Sequence, residues 1–230
     1  MLEGVFIVVN VQISKSQIPI VKNIKYMFEM KSLKLYLGSI IDTDDVYFES
    51  LLDDEDIFFN PENDKKVIEE WIKNNYKIDG NLTISDDFVV SCTRNVTVKN
   101  KSITSLTNGL FRWGKVDGFF DCGNCKNLKS LEGAPEEVGD HFYCGYCDKL
   151  TTLEGAPKIV GSGFYCESCI NLKSLEGAPE KVEGVFNCNY CDKLTSLKGA
   201  SKNVGGNFEC RKCNNLKITD SDRKKYKIIY

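Results

Sequence analysis

The sequence predicts an α+β protein in which a small N-terminal α/β domain precedes a repeat solenoid with a parallel β-sheet of short strands. The main observation is a 22-residue unit that recurs through the C-terminal half of the 230-residue chain. The first 77 residues lack this period and mix β-branched and amphipathic segments. A strict period of this length is typical of units that bury a common core by stacking.

The repeating unit places the same residue types at the same positions. Two successive units read "FYCGYCDKLTTLEGAP" from 142 and "FYCESCINLKSLEGAP" from 164. In each unit, Phe and the first Cys are separated by one outward residue, as in a short strand. The residues repeated at this step are Phe120, Phe142, Phe164, Phe186 and Phe208, then Cys122, Cys144, Cys166, Cys188 and Cys210, then Cys125, Cys147, Cys169, Cys191 and Cys213.

The "EGAP" segment of each unit predicts a turn. Gly133, Gly155 and Gly177 can adopt positive φ without the steric cost of a Cβ atom. The residues that remain in each unit are too few for a long helix. We therefore expect short 3₁₀ or irregular segments on the return side of each rung.

The eleven cysteines allow three interpretations. Pairs of CxxC sequences are typical of zinc sites, and neighbouring units could also form disulfides. Five pairs in strict phase favour instead two columns of buried thiols that pack like small apolar side chains. The second cysteine of each unit falls at a bend, where it can reach a backbone group. We expect no metal and no cofactor.

Composition and charge narrow the classes of partner. The net charge of -3 does not favour nucleic-acid binding, which needs a basic excess. No apolar run is long enough to span a membrane. The N-terminus lacks the basic and apolar regions of a signal peptide. These features predict a cytoplasmic protein with thiols kept reduced.

The units "LTTLEGAPKIVGSGFYC" and "LKSLEGAPEKVEGVFNC" resemble the leucine-rich-repeat-like proteins of tailed bacteriophages and prophages. The resemblance covers residues 78–216. It implies a leucine-rich-repeat-like scaffold in a phage-encoded protein, without a catalytic residue, acting in the cytoplasm of a host cell. Residues 78–119 match as degenerate capping rungs, residues 120–216 match as regular rungs, and residues 217–230 would form a basic C-terminal cap.

The N-terminal domain, residues 1–77, is predicted to hold strands at 5–13 and 33–37 and helices at 18–30 and 60–76. Its acidic segment, residues 42–56, contains eight acids and no base. It lacks the spacing of a calcium loop. The segment is a solvated edge, a contact surface for a basic partner, or a short mimic of nucleic-acid phosphates. The partner-binding candidates within this segment are Asp53, Asp54 and Glu55.

The solenoid offers the other candidate site. No catalytic motif is present, and the single histidine, His141, falls in a predicted turn. The outward strand positions vary between units and hold several tyrosines, which are common in binding hot spots. The candidates for partner binding are Tyr143, Tyr146, Tyr165, Glu167, Asn187 and Tyr190.

We therefore expect a non-enzymatic module that binds a host protein, for example a defence factor, or a phage protein. The contact would use the solenoid sheet face, the acidic N-terminal edge, or both. The alternative is a structural or assembly protein of the virion. A zinc-binding or small-ligand-binding protein, with a pocket near residues 70–120, is a third hypothesis.

Overall fold

The computed structural model of the chain describes residues 61–230. The predicted elements at 5–13, 18–30 and 33–37 and the acidic segment lie outside the described residues. The separate N-terminal domain therefore stays a prediction.

Residues 61–230 contain two helices, α1 and α2, and fifteen short strands, β1–β15. The helices are α1 (Pro61–Asn75) and α2 (Asp220–Lys225). The strands are β1 (Tyr76–Asp79), β2 (Leu82–Ile84), β3 (Val89–Cys92), β4 (Asn95–Val98), β5 (Arg112–Val116), β6 (Phe120–Asp121), β7 (Glu137–Val138), β8 (Phe142–Tyr143), β9 (Ile159–Val160), β10 (Phe164–Tyr165), β11 (Lys181–Val182), β12 (Phe186–Asn187), β13 (Asn203–Val204), β14 (Phe208–Glu209) and β15 (Ile228–Ile229).

The strands build a mostly parallel β-solenoid of about six turns. The first sheet has the strand order β1-β4-β6-β8-β10-β12-β14-β15. Within it, Phe164 pairs with Phe142 on one side and with Phe186 on the other. The 22-residue step of the sequence is thus the step from one strand to the next, which confirms the predicted solenoid.

The return side of each rung differs from the expected 3₁₀ or irregular segments. It carries short strands, each of two residues in the regular rungs, that form a second sheet in the order β13-β11-β9-β7-β5-β3-β2. Val160 pairs with Val138 and with Val182, and the Gly161 N–H donates to the Val138 carbonyl at 2.8 Å. The neighbouring rung thus supplies hydrogen-bond partners for the backbone of the return side.

A column of phenylalanines forms the centre of the core. Phe142 and Phe164 stack with ring centroids 5.4 Å apart, and all five repeated phenylalanines are fully buried. Trp113 contacts the first ring of the column edge-on, and Tyr226 contacts the last at 4.9 Å. The column is therefore closed by another aromatic ring at each end.

Helix α1 confirms the helix predicted over 60–76. Ile68 and Ile72 are buried, and the ring of Trp71 lies edge-on to Phe111 at 5.7 Å. Apolar residues four positions apart lie on one helical face, which accounts for this burial. The Asn75 amide then donates to the Trp71 carbonyl at 2.9 Å, near the start of β1.

The degenerate first rungs close the solenoid with antiparallel pairs. β1 pairs antiparallel with β4, and β2 pairs antiparallel with β3 at the edge of the second sheet. At the other end, β15 lies within the predicted C-terminal cap and pairs with β14 in the first sheet. Helix α2 was not predicted. It begins with a capping box between Thr219 and Asp222.

Candidate protein-binding face

Two tyrosines stack on the outer side of the first sheet. Tyr143 ends β8, Tyr165 ends β10, and the two residues pair directly in the sheet. Their ring centroids are 5.0 Å apart with an interplanar angle of 17°. Alternation along each strand sends the neighbouring phenylalanine inward and the tyrosine outward. Both tyrosines are half-buried.

Two further rings extend this stack. The imidazole of His141 lies 5.6 Å from the Tyr143 ring and 5.4 Å from the Tyr165 ring. Phe119 meets Tyr143 edge-on at 6.2 Å. We call Phe119, His141, Tyr143 and Tyr165 the aromatic patch. Sequence reasoning missed Phe119 and His141, although a residue two positions before an outward strand residue shares its side of the sheet.

Gly163 makes room for the Tyr165 ring. A Cβ atom at Gly163 would lie 2.5 Å from Cε2 of Tyr165, so the ring occupies the space that a side chain would need. The Gly163 N–H donates to Nδ1 of His141 at 3.0 Å. This bond fixes the imidazole beside both phenols. The patch is thus positioned by backbone as well as by ring packing.

Glu167 lies beside the patch and packs over Gly145. A Cβ atom at Gly145 would lie 2.9 Å from the Glu167 carboxyl carbon, so the missing side chain leaves room for this group. The Oε2 atom of Glu167 is buried and has no hydrogen-bond partner within residues 61–230. Burial raises the pKa of the Glu167 carboxyl, and the charge of Asp121 adds to this effect.

The surroundings of the two phenols are acidic. Burial raises the pKa of Tyr143, and the nearby Tyr165, Asp140, Asp121 and Glu167 raise it further. The pKa of Tyr165 is raised in the same way, first by burial and then by neighbouring carboxylates. The carboxylates that disfavour phenolate charge here would also attract an incoming cation.

Tyr146 and Tyr190 do not join the stack. They are 49% and 54% exposed, and no ring contact within residues 61–230 links either of them to the aromatic patch. They occupy the same position two rungs apart, with Ser168 between them, and all three have left-handed backbone conformations. The structure therefore brings two of the four candidate tyrosines together and leaves two separate.

The remaining candidates fall into two groups. Asn187 follows the tyrosines along the sheet, where its Oδ1 atom accepts a hydrogen bond from the Asn189 N–H at 3.0 Å. Asn187 therefore shapes the turn of its own rung. Asp53, Asp54 and Glu55 lie outside the described residues, and their role stays a prediction.

The cysteine columns are buried and bonded to the backbone. The Cys147 thiol donates to the Cys122 carbonyl at 3.3 Å, and the Cys169 thiol donates to the Cys144 carbonyl at 3.3 Å. The described cysteines are all free thiols. In the described part of the chain, no group of three or more His, Cys, Asp or Glu side chains is arranged to hold a metal ion.

A separate cavity of about 540 Å³ lies near α1 and the first strands. It falls within the region in which the sequence placed a small-ligand pocket. Apolar and lysine side chains make up most of its lining, so it lacks a set of convergent polar groups that would orient a ligand. Its lining residues are Glu69, Ile72, Lys73, Tyr76, Lys77, Ile78, Leu82 and Lys99.

Comparison with known proteins gives no family model, no curated protein and no solved structure that matches the chain. Between residues 61 and 230, neither helix has the length and apolar character needed to cross a bilayer.

Proposed function

We propose that this chain is a non-enzymatic protein-interaction module that binds its partner through the aromatic patch. The observation that carries the proposal is the Tyr143–Tyr165 stack on the outer side of a regular sheet. Tyrosine supplies a large contact area at a small cost in side-chain entropy, which is why it is frequent in binding hot spots. No hydrogen bond within residues 61–230 uses either hydroxyl, so both can bond to a partner.

The setting of the patch supports binding with little rearrangement. The strands beneath it are hydrogen-bonded to both neighbouring rungs, as in the 2.8 Å bond from the Cys144 N–H to the Tyr165 carbonyl. The Gly163–His141 hydrogen bond holds the third ring in place. A surface ordered before binding loses less conformational entropy when the partner arrives.

The proposal includes an origin and a second contact. The recurring "LEGAP" units support a leucine-rich-repeat-like protein of phage origin, with a host protein, for example a defence factor, as the partner. The acidic segment 42–56, with Asp53, Asp54 and Glu55, would add a contact for a basic region of that partner. Such a module would act in the cytoplasm of the infected cell, as an inhibitor in a counter-defence role.

Affinity capture tests the proposal. The tagged chain would be purified from lysates of infected and uninfected host cells, and co-purifying proteins would be identified by mass spectrometry. The double variant Tyr143→Ala/Tyr165→Ala should lose its partner while keeping its unfolding midpoint, because both changes lie outside the core. Tyr190→Ala, an exposed tyrosine away from the patch, is the matched control.

The outcomes separate the hypotheses. One stoichiometric partner that is lost in the double variant and kept in Tyr190→Ala supports the module. Capture of virion proteins alone, unchanged by the double variant, would favour a role in virion structure or assembly instead. Full binding by the double variant would rule out the aromatic patch as the binding site.

A further inference from the structure

Beside the aromatic patch lies a carboxylate that has no counter-charge among residues 61–230. No ion pair within residues 61–230 involves Glu167 or Asp121, although other acids in this range pair with a lysine or an arginine. The Gly123 N–H donates to Oδ1 of Asp121 at 2.8 Å, whereas Oε2 of Glu167 is buried and receives no hydrogen bond from the described residues. A buried carboxylate oxygen without a donor is costly, and a hydrogen-bonded cation offsets that cost.

The rings and the carboxylate are adjacent on the same surface. Glu167 follows Tyr165 by two residues, and its charge contributes to the raised pKa of both Tyr143 and Tyr165. The electron-rich faces of tyrosine rings attract cations, and the attraction strengthens when the cation is partly desolvated. The site therefore combines a flat aromatic surface with an acceptor at its edge.

We infer that the Tyr143–Tyr165 stack and the Glu167 carboxylate together receive an arginine side chain from a basic segment of the partner protein. The inference rests on the proposed function and specifies the chemistry of the partner. The guanidinium would lie against the tyrosine rings, and its N–H groups would donate to the Glu167 carboxylate after a rotation of that side chain. Arginine is the best match because its planar group can stack and form two parallel hydrogen bonds at once.

Other occupants fit this surface less well. A phosphate or a nucleic-acid backbone would be repelled by Asp121, Asp140 and Glu167. A lysine ammonium is a compact, strongly hydrated charge that cannot stack on the rings with its donors at the edge. A second copy of this chain would bring its own acidic patch to a symmetric contact, and like charges would face each other.

The first test measures binding of a small probe to the full chain. The probe is the tripeptide Gly-Arg-Gly, blocked at both ends, and the matched probes carry lysine or citrulline in place of arginine. We expect saturable changes in the amide resonances of Tyr143, Tyr165 and Glu167 with the arginine peptide. The lysine peptide should bind several-fold more weakly, and the uncharged citrulline peptide should cause no change at these residues.

Variants then assign the effect to the two parts of the site. Glu167→Gln keeps the shape of the side chain and should weaken the arginine peptide roughly tenfold. Tyr165→Leu should also weaken it several-fold, whereas Tyr165→Phe, which retains the ring, should bind nearly as well. The control is Glu183→Gln, which removes one negative charge from a residue paired with Lys181 beside the second sheet.

Failure of this inference differs from failure of the proposed function. Equal binding of the arginine and lysine peptides, or equal weakening by Glu167→Gln and Glu183→Gln, would show nonspecific attraction and overturn the inference. Absence of any change at the patch would overturn it as well. Loss of the captured partner in Tyr143→Ala/Tyr165→Ala would still support the interaction module in those cases. Concentration-dependent self-association abolished by Glu167→Gln would instead assign the patch to a second copy.

Discussion

The thiol of Cys169 donates a hydrogen bond of 3.3 Å to the carbonyl oxygen of Cys144 in the preceding rung. The same relationship recurs at the 22-residue step. The second cysteine of a rung therefore fills the core and also bonds the backbone of its neighbour. The other pairs that show it are Cys147 with Cys122, Cys191 with Cys166, and Cys213 with Cys188.

Replacement of Cys169 by alanine should destabilise the solenoid. The change leaves a small cavity and removes the donor from the Cys144 carbonyl, so we expect a loss of about 2 kcal/mol in the free energy of unfolding. Cys169→Ser, which retains a donor, should lose less. Cys213→Ala is the matched control, because Cys213 makes the same bond but is partly exposed. Urea unfolding monitored by circular dichroism measures all three, and equal losses for Cys169→Ala and Cys213→Ala would contradict the prediction.

Alkaline pH should weaken the fold through the buried thiols. Burial is the main cause of the raised pKa of Cys125, to about 11, and of Cys147, to about 12. The unfolded chain then loses protons before the native chain does, so the stabilising effect is complete below pH 9 and is lost as the pH rises. Raised thiol pKa values also occur at Cys92, Cys122, Cys144, Cys166, Cys169, Cys188 and Cys210.

Denaturant unfolding at several pH values, without oxygen, tests this dependence. Each ionising thiol should contribute a slope of about 1.4 kcal/mol per pH unit. Cys147→Ser removes one such group and should flatten the curve above about pH 9 by that amount. A free energy of unfolding that does not change over this range would show that the thiols are not shielded from water.

Tyr146→Asn should stabilise the protein. Tyr146 has φ of 59°, a conformation that asparagine adopts more readily than tyrosine. Asn124 is the equivalent residue of the preceding rung and has φ of 62°. Because Tyr146 is largely exposed, little packing is lost, and we expect a gain of about 0.5 kcal/mol. Tyr190→Asn, with φ of 61°, should behave alike. Thermal unfolding measures the gain, and a loss in both variants would mean that these rings support the fold.

Gly163→Ala should disturb the aromatic patch without unfolding the chain. The new Cβ atom would displace the Tyr165 ring, which is the free end of a side chain, so the cost to stability should stay below about 1 kcal/mol. Partner binding should fall nearly as far as in Tyr165→Ala. The near-ultraviolet circular dichroism of the tyrosines should change as well.

The control for Gly163→Ala is Gly123→Ala. Its Cβ atom would meet the flexible Asp121 carboxylate at 3.1 Å rather than a ring of the patch. This variant should retain both the tyrosine signal and the partner. If both alanine variants bind normally, the orientation of Tyr165 does not matter for the contact.

The period of the sequence predicted the features that depend on one rung and its copies. The buried cysteine and phenylalanine columns follow from residues that recur at one step. The left-handed turns are also confirmed, with φ of +83° at Gly133 and Gly177 and +86° at Gly155. A repeated glycine indicates such a turn because the positive φ depends on that residue alone and not on contacts with other rungs.

Features that depend on neighbouring rungs were harder to predict. In the regular rungs, each strand of the second sheet has only two residues, which is too few to show an alternation of apolar and polar residues in the sequence. These residues are strands only because they form hydrogen bonds to adjacent rungs. His141 was assigned to a turn for the same reason, and its contact with two tyrosines appears only when the rungs are stacked. Helix α2 is six residues long, so only its Thr219–Asp222 cap could have indicated it.

The uniform register between rungs has a consequence for how the number and the order of units can change. Because each rung contacts only its neighbours, a gain or loss of whole units would leave each remaining strand with an equivalent neighbour. The pairing of Tyr143 with Tyr165 depends instead on two particular units lying next to each other. Relatives of this protein can therefore differ in length with little effect on folding, and a changed order of units would alter which molecules they recognise.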